Sequence, residues 1–318
     1  MTDLAAIESA AGLVHAAIGS TPQLNWPLLS NRCGTEVWVK HENHNPTGAF
    51  KIRGGLTYMD ALKRAEPGTE GVVCATRGNH GQSIATAAGH FDLKAVIVVP
   101  HGNSVEKNAA MAAQGGELIE HGHDFQEALE YATGLADERG LHMVDSFQDN
   151  LVLGVATYGL ELFGAVADID TVYVPIGLGS GICGTITARN ALGLKTKIVG
   201  VVAENAPAYA LSFKAGKPVA TNSADTMADG VACRVPDDEA VAMINANAER
   251  IVEISEDEIK SAMRHFYTDT HNIAEGAGAA ALAALLKERE AMAGKRVAVV
   301  LTGGNIDIDV YRTILAGG

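Results

Sequence analysis

The stretch Thr171-Val172-Tyr173-Val174-Pro175-Ile176-Gly177-Leu178-Gly179-Ser180-Gly181-Ile182-Cys183-Gly184 reads as a strand, a glycine-rich turn and the start of a helix. Its first five residues form a β-branched run without polar alternation, the pattern of a strand covered on both faces. The glycines let the backbone approach a ligand closely, and successive N–H groups entering a helix can cradle a phosphate. No lysine follows in the Walker manner, so this is not a P-loop of the nucleotide-hydrolase kind. Gly179-x-Gly181-x-x-Gly184 also matches a dinucleotide fingerprint, with Glu204 standing 20 residues after Gly184 as the ribose-binding acid. An NAD-dependent dehydrogenase therefore stays open on this stretch alone, as does a plain loop.

Working outward, strand and helix patterns alternate. Apolar strand runs lie at 71–75, 95–99, 171–175, 197–202 and 296–301, with Ala-rich helical segments near 79–90, 104–114, 124–138, 150–167, 182–193, 255–268 and 274–289. This predicts an α/β fold of open parallel sheets with helices on both faces. No low-complexity linker marks a boundary. Four short strand signals near 71–75, 95–99, 117–120 and 142–145 set apart a small domain over 68–146; 1–67 and 147–318 then form a larger, discontinuous domain, with ligand in the cleft between.

Three further segments carry chemistry. His41-Glu42-Asn43-His44-Asn45-Pro46-Thr47-Gly48-Ala49-Phe50-Lys51-Ile52-Arg53-Gly54-Gly55 runs through a Pro turn, with Thr47 as a candidate N-cap, into a helix. Lys51 falls in or near the first helical turn, where the dipole disfavours a cation and apolar neighbours favour the neutral amine. Such an amine is a Schiff-base nucleophile, whereas a solvated lysine would snorkel away. Ala75-Thr76-Arg77-Gly78-Asn79-His80-Gly81 is a strand end, turn and helix start, either an anion nest using Thr76, Asn79 and His80 or an ordinary capped helix. Leu301-Thr302-Gly303-Gly304-Asn305 closes the last strong strand, and on its own reads equally as a left-handed turn.

Composition limits the partners. The 318-residue chain is 47% hydrophobic, only 5% aromatic, and carries a net charge of −14 with no Lys/Arg-rich run, which argues against nucleic acid and anionic membrane. Cys33, Cys74, Cys183 and Cys233 form no C-x-x-C pair, and the start Met1-Thr2-Asp3-Leu4 has no signal-peptide character, so a cytoplasmic protein is expected.

In their order along the chain, Asn45–Gly54, Gly78–Gln82, the glycine loop, Ala228-Asp229-Gly230, Glu275-Gly276-Ala277-Gly278-Ala279 and Thr302–Asn305 resemble the fold type II pyridoxal-phosphate (PLP) enzymes, in the threonine/serine dehydratase and serine racemase group. The resemblance implies a tryptophan-synthase-β-like pair of domains, PLP in the cleft and a homodimer. It implies that Lys51 forms the Schiff base and moves the proton, that Phe50 flanks the ring and that Asn79 meets its 3′-oxygen. Gly177, Gly179, Ser180 and Gly181 would hold the phosphate, and Thr302 the pyridine nitrogen. Thr76, Asn79 and His80 would receive the substrate carboxylate.

Two departures refine it. Arg77 stands where racemases of this group have a Ser; a guanidinium is a poor base but a good carboxylate fork, which points to a substrate with a second acid group. 3-Hydroxyaspartate, giving iminosuccinate and then oxaloacetate plus ammonia by β-elimination, is the preferred expectation. A general L-serine/L-threonine dehydratase, a serine racemase, or an Arg77 turned outward to an acid are the alternatives, and a non-catalytic amino-acid-binding module is a third class. Some members of the group hold a divalent cation such as Mg2+; Glu204 and the Ala208 carbonyl match two of its ligands, while Ala210 replaces the Asp.

Overall fold

The computed structural model describes residues 2–317. In chain order the elements are α1 (Leu4–Ile18), β1 (Gln23–Asn25), α2 (Pro27–Cys33), β2 (Glu36–His41), α3 (Lys51–Ala65), β3 (Gly71–Ala75), α4 (Asn79–His90), β4 (Lys94–Val99), α5 (Val105–Ala113), β5 (Glu117–Glu120), α6 (Phe125–Arg139) and β6 (His142–Met143). Then follow α7 (Asp149–Ala165), β7 (Thr171–Pro175), α8 (Ser180–Ala191), β8 (Lys197–Ala203), α9 (Ala208–Ala215), α10 (Asp238–Asn247), β9 (Arg250–Ile254), α11 (Glu256–Thr270), α12 (Gly276–Lys287), β10 (Arg296–Leu301) and α13 (Ile308–Leu315).

The strands form two sheets. One has six strands in the order β1-β2-β10-β7-β8-β9, and the other four in the order β5-β4-β3-β6. Every pairing is parallel except β1 with β2. The short run Gln23-Leu24-Asn25 gave no strand pattern, and it adds one antiparallel edge to a sheet otherwise parallel as expected. Central strands β3 and β7 are buried at every residue, which is why their sequences show no polar alternation. All four strands of the smaller sheet fall between residues 71 and 143.

Apolar cores lie on both faces of each sheet. Under the six-stranded sheet, one face packs α2, α11 and the almost wholly buried, Ala-rich α12; the other packs α7, α8 and α10. Around the four-stranded sheet, α3 and α4 cover one face and α6 the other. Helix α3 also lies against α7, and glycines make that approach possible. A Cβ on Gly154 would sit 2.2 Å from the Arg53 carbonyl oxygen, and one on Gly54 would sit 2.7 Å from that of Leu151.

Beneath the first turn of α3 is a buried ion cage. Arg53 donates to Glu42 at 2.7 and 3.0 Å and to Glu161 at 2.6 and 2.9 Å, while Lys40 Nζ donates to Glu161 and to the Thr21 carbonyl. Two cations and two carboxylates balance, and Thr21 and Thr157 hydroxyls fill further valences. Burial tends to lower the Glu161–Arg53 charges' stability, yet the paired cations hold the Glu161 carboxyl down at about 2. The cage fixes the backbone two residues beyond Lys51.

Candidate functional site

Lys51 is the first residue of α3, as its position after the Pro turn predicted. Thr47 does not cap that helix: Phe50 occupies the N-cap position, without a side-chain cap bond, and the Thr47 hydroxyl turns to the Ala49 carbonyl. The loop is held instead from the end of β10. The Phe50 N–H donates to the Thr302 carbonyl at 3.0 Å, Gly304 N–H to Gly48 O at 2.9 Å, and Asn305 Nδ2 to Thr47 O at 2.8 Å. This pairing replaces the left-handed turn that Thr302-Gly303-Gly304 alone allowed; neither glycine has positive φ.

Lys51 Nζ lies 3.1 Å from the Ser180 hydroxyl and 5.2 Å from the centre of the Phe50 ring. No carboxylate pairs with it among the described residues. Burial alone lowers its pKa to about 8, leaving roughly a tenth of the amine neutral at pH 7. Desolvation, which the sequence reading expected from the apolar neighbours of Lys51, is the cause.

Ser180 opens α8, whose N-cap Gly179 sits at φ +105°, a conformation L side chains rarely adopt. The helix has no side-chain cap, and among the described residues the N–H groups of Gly177, Gly179, Ser180 and Gly181 find no acceptor. Gly177 passes so close to Gly230 that a Cβ there would stand 2.2 Å from its carbonyl oxygen. The loop is braced from outside by hydroxyls the sequence did not single out: Tyr209 donates to Leu178 O at 2.8 Å, and Tyr158 to Gly181 O at 2.7 Å. Tyr158 also meets the Phe50 ring edge-on at 6.2 Å.

Opposite stands the start of α4. Gly78 occupies its N-cap without a side-chain bond, so the ordinary capped-helix alternative does not hold. The Thr76 hydroxyl accepts the Gly78 N–H at 3.0 Å, shaping the turn. His80 is buried with its Nε2 unpartnered among the described residues, and burial, with Lys51 nearby, lowers its pKa to about 3. It is therefore a neutral imidazole. Asn79 donates to Glu275 Oε1 at 2.6 Å and accepts from Asn305 Nδ2 at 2.8 Å, which fixes the orientation of its amide.

These pieces enclose a cavity of about 130 Å³ at the carboxyl ends of β2, β3, β7 and β10, where open α/β sheets bind ligands. Every residue expected to hold cofactor or substrate lines it: Phe50, Lys51, Thr76, Arg77, Asn79, His80, Gly177, Gly179, Ser180, Gly181 and Thr302. Lys107, Asp229 and Glu275 line it too, without having been assigned a role. Arg77 is half exposed and its Nε lies 3.8 Å from Asp229, so it both borders the cavity and leans towards an acid.

Glu204 is outside the lining, exposed on the turn after β8, and Ala208 and Ala210 are buried in α9. Among the described residues no group of three His, Cys, Asp or Glu side chains gathers to hold a metal. The sequence expectation of a cation at Glu204 and Ala208 finds no such cluster to support it among the described residues. No helix among them is long and apolar enough to cross a membrane.

The donor set suits an aldehyde bearing a phosphate. An amine with lowered pKa stands beside an apolar ring, and N–H groups unpaired among the described residues line the same cavity from a loop where Gly177 and Gly179 leave no room for side chains.

Known proteins agree. The chain is 34% identical to the L-threonine ammonia-lyase of Thermotoga maritima, over 92% of this chain and 72% of that one. Its fold superposes on maize serine racemase with a TM-score of 0.92 and 26% identity, covering 99% of this chain and 97% of that one. It superposes on a pyridoxal 5′-phosphate-dependent aspartate racemase with a TM-score of 0.90 and 27% identity, covering 97% of both. The family model described as pyridoxal-phosphate dependent enzyme matches residues 14–303, and over that extent of the chain the protein belongs to that family.

Proposed function

We propose that this enzyme eliminates water from 3-hydroxyaspartate, giving iminosuccinate, which a water molecule then hydrolyses to oxaloacetate and ammonia. The observation that carries the reading is Arg77, which lines the same cavity as Lys51 and His80 and is half exposed there. A planar fork at that place suits a second carboxylate, and a guanidinium is a poor base. The structural likeness to an aspartate racemase, whose substrate also has two carboxylates, supports the same choice.

Lys51 would hold PLP covalently, the N–H groups at 177–181 its phosphate, Asn79 the 3′-oxygen and Thr302 the ring nitrogen. PLP supplies withdrawal of electrons from the substrate's α-carbon. Lys51, as a primary amine whose pKa burial lowers, would be fit to take the α-proton. The turn at 76–80 presents free helix-start N–H groups to the α-carboxylate, and neutral His80 can add one hydrogen bond without adding charge. Loss of the β-hydroxyl as water, with the proton returned to it, completes the elimination.

The nicotinamide alternative is set aside: Glu204 lies outside the cavity and the family is that of PLP enzymes. A general serine/threonine dehydratase is the second reading, favoured by the threonine ammonia-lyase relative. A homodimer in the cytoplasm goes with either, and sedimentation checks the dimer. A screen of serine, threonine and all hydroxyaspartate stereoisomers for ammonia release separates them. Arg77→Ser should cut kcat/KM for hydroxyaspartate by about tenfold or more beyond any loss on serine, the worth of a charge-assisted hydrogen bond. Equal losses on all substrates would leave the general dehydratase.

A further inference from the structure

Two cations and two carboxylates meet at the mouth of the cavity. Lys107, on α5, donates to Asp229 Oδ2 at 3.2 Å and stands 3.7 Å from Glu275 Oε2. Arg77 approaches the other Asp229 oxygen at 3.8 Å, too far for a hydrogen bond. Both cations come from the segment that builds the four-stranded sheet, and both acids from the rest of the chain.

The two acids are held very differently. Glu275 is buried at the N-cap of α12, takes the Asn79 amide at 2.6 Å and lies behind Lys107. Asp229 begins a short 3-10 turn, is 36% exposed and keeps a single hydrogen bond from the two cations. Arg77 beside it is 48% exposed. A carboxylate set between a lysine and an arginine at the cavity rim is the arrangement that the distal carboxylate of a dicarboxylic amino acid requires, and Asp229 already occupies it.

We infer that Asp229 is a resident competitor for the substrate's second carboxylate. A dicarboxylate displaces it from Arg77 and Lys107 towards solvent, whereas serine or threonine leaves it in place. The inference rests on the dicarboxylate reading above, and adds Lys107 as a second cation and Asp229 as the element that sets selectivity. Charge decides which acid yields. Arg77 and Lys107 are balanced by Asp229 and Glu275, so an incoming carboxylate must move one of them, and Asp229 alone is solvent-accessible and weakly held. No covalent change is involved.

The test uses succinate, a dicarboxylate without an amine, titrated into the holoenzyme by absorbance and by competition with serine turnover, with acetate as the monocarboxylate control. Asp229→Asn should tighten succinate binding about threefold to tenfold and shift the ratio of kcat/KM values towards hydroxyaspartate over serine. Lys107→Gln should weaken succinate about tenfold or more, the loss expected of one charge-assisted hydrogen bond. Lys107→Gln leaves Glu275 buried without its cation; if it does not fold, the Lys107→Gln/Glu275→Gln pair removes both charges and should still lose succinate. Asp229→Asn that weakens succinate, or that changes succinate and serine by one factor, overturns the inference. If Arg77→Ser is selective against hydroxyaspartate while Asp229→Asn leaves succinate affinity unchanged, the competitor falls and the dicarboxylate reading stands. If Arg77→Ser is unselective and wild type does not bind succinate, both fall.

Discussion

Lys51 Nζ and Ser180 Oγ stand 3.1 Å apart, and this neutral hydroxyl is the one hydrogen-bond partner the amine has among the described residues. A carboxylate in its place would hold the ammonium form. Burial, with nothing to oppose it, sets the pKa at about 8.

A pH dependence follows. In cofactor-free protein, the rate of Schiff-base formation with added PLP should rise with the neutral fraction of Lys51 and level off above about pH 8. Stability has a linked sign. The unfolded lysine, near its ordinary 10.5, binds more protons than the folded one between pH 8 and 10.5, so this group's contribution is fully present above the upper value and is lost as pH falls through about 8. Stopped-flow absorbance measures the rate, and a rate still climbing through pH 10 would contradict the lowered pKa.

Lys51→Ala should lose turnover and the borohydride-reducible chromophore while keeping the fold, because the side chain makes one hydrogen bond and no ion pair. Mass spectrometry of reduced wild type should place the pyridoxyl group on Lys51. Its appearance on Lys107, the other lysine lining the cavity, would move the chemistry there.

Arg53→Met should destabilise the protein by about 3–5 kcal/mol, since it leaves Glu42 and Glu161 buried with Lys40 as the one buried cation beside them and His15 at the exposed edge of Glu161. Urea unfolding reads this directly. A loss below about 1 kcal/mol would mean that water or protonation relieves the cage.

Gly177→Ala should weaken PLP binding about tenfold or more, because its Cβ would stand 2.2 Å from the Gly230 carbonyl and push the loop aside. Gly164→Ala, on α7 with nothing within 4 Å of the new methyl, is the matched control and should be neutral or slightly stabilising. Fluorescence titration of the cofactor compares them. Equal affinities would show that the loop yields without cost.

Much of this was readable before the fold because it is local. The glycines of 177–184 and the Pro turn before Lys51 each lie on one short segment, and unbroken apolar runs such as Thr171–Pro175 declare a parallel strand covered on both faces. Lys107, Tyr158 and Tyr209 were not readable as site residues. On its own helix Lys107 reads as a solvated charge; only the crossing of α5 over the Asp229 turn gives it a role. The tyrosines act by a hydroxyl reaching a loop carbonyl far along the chain, which leaves no periodic or spacing signal. Arg77 shows the opposite limit: its chemistry was plain, but its lean towards Asp229 depended on tertiary placement.

Thr302→Asp tests the ring-nitrogen partner. Thr302 is buried at the end of β10, and its carbonyl, not its hydroxyl, holds the Phe50 N–H at 3.0 Å, so exchanging the side chain leaves the stitch to the Lys51 loop intact. A hydroxyl can share a hydrogen bond with an unprotonated pyridine nitrogen, whereas an ionised carboxylate favours the protonated ring, a stronger electron sink. The substitution should shift the visible absorbance of the holoenzyme, slow ammonia release by about tenfold or more, and raise α-proton exchange relative to elimination. Thr302→Ser, which keeps the hydroxyl, should retain both spectrum and reaction outcome. If Thr302→Asp alters neither absorbance nor the ratio of exchange to elimination, Thr302 lines the cavity without touching the ring nitrogen.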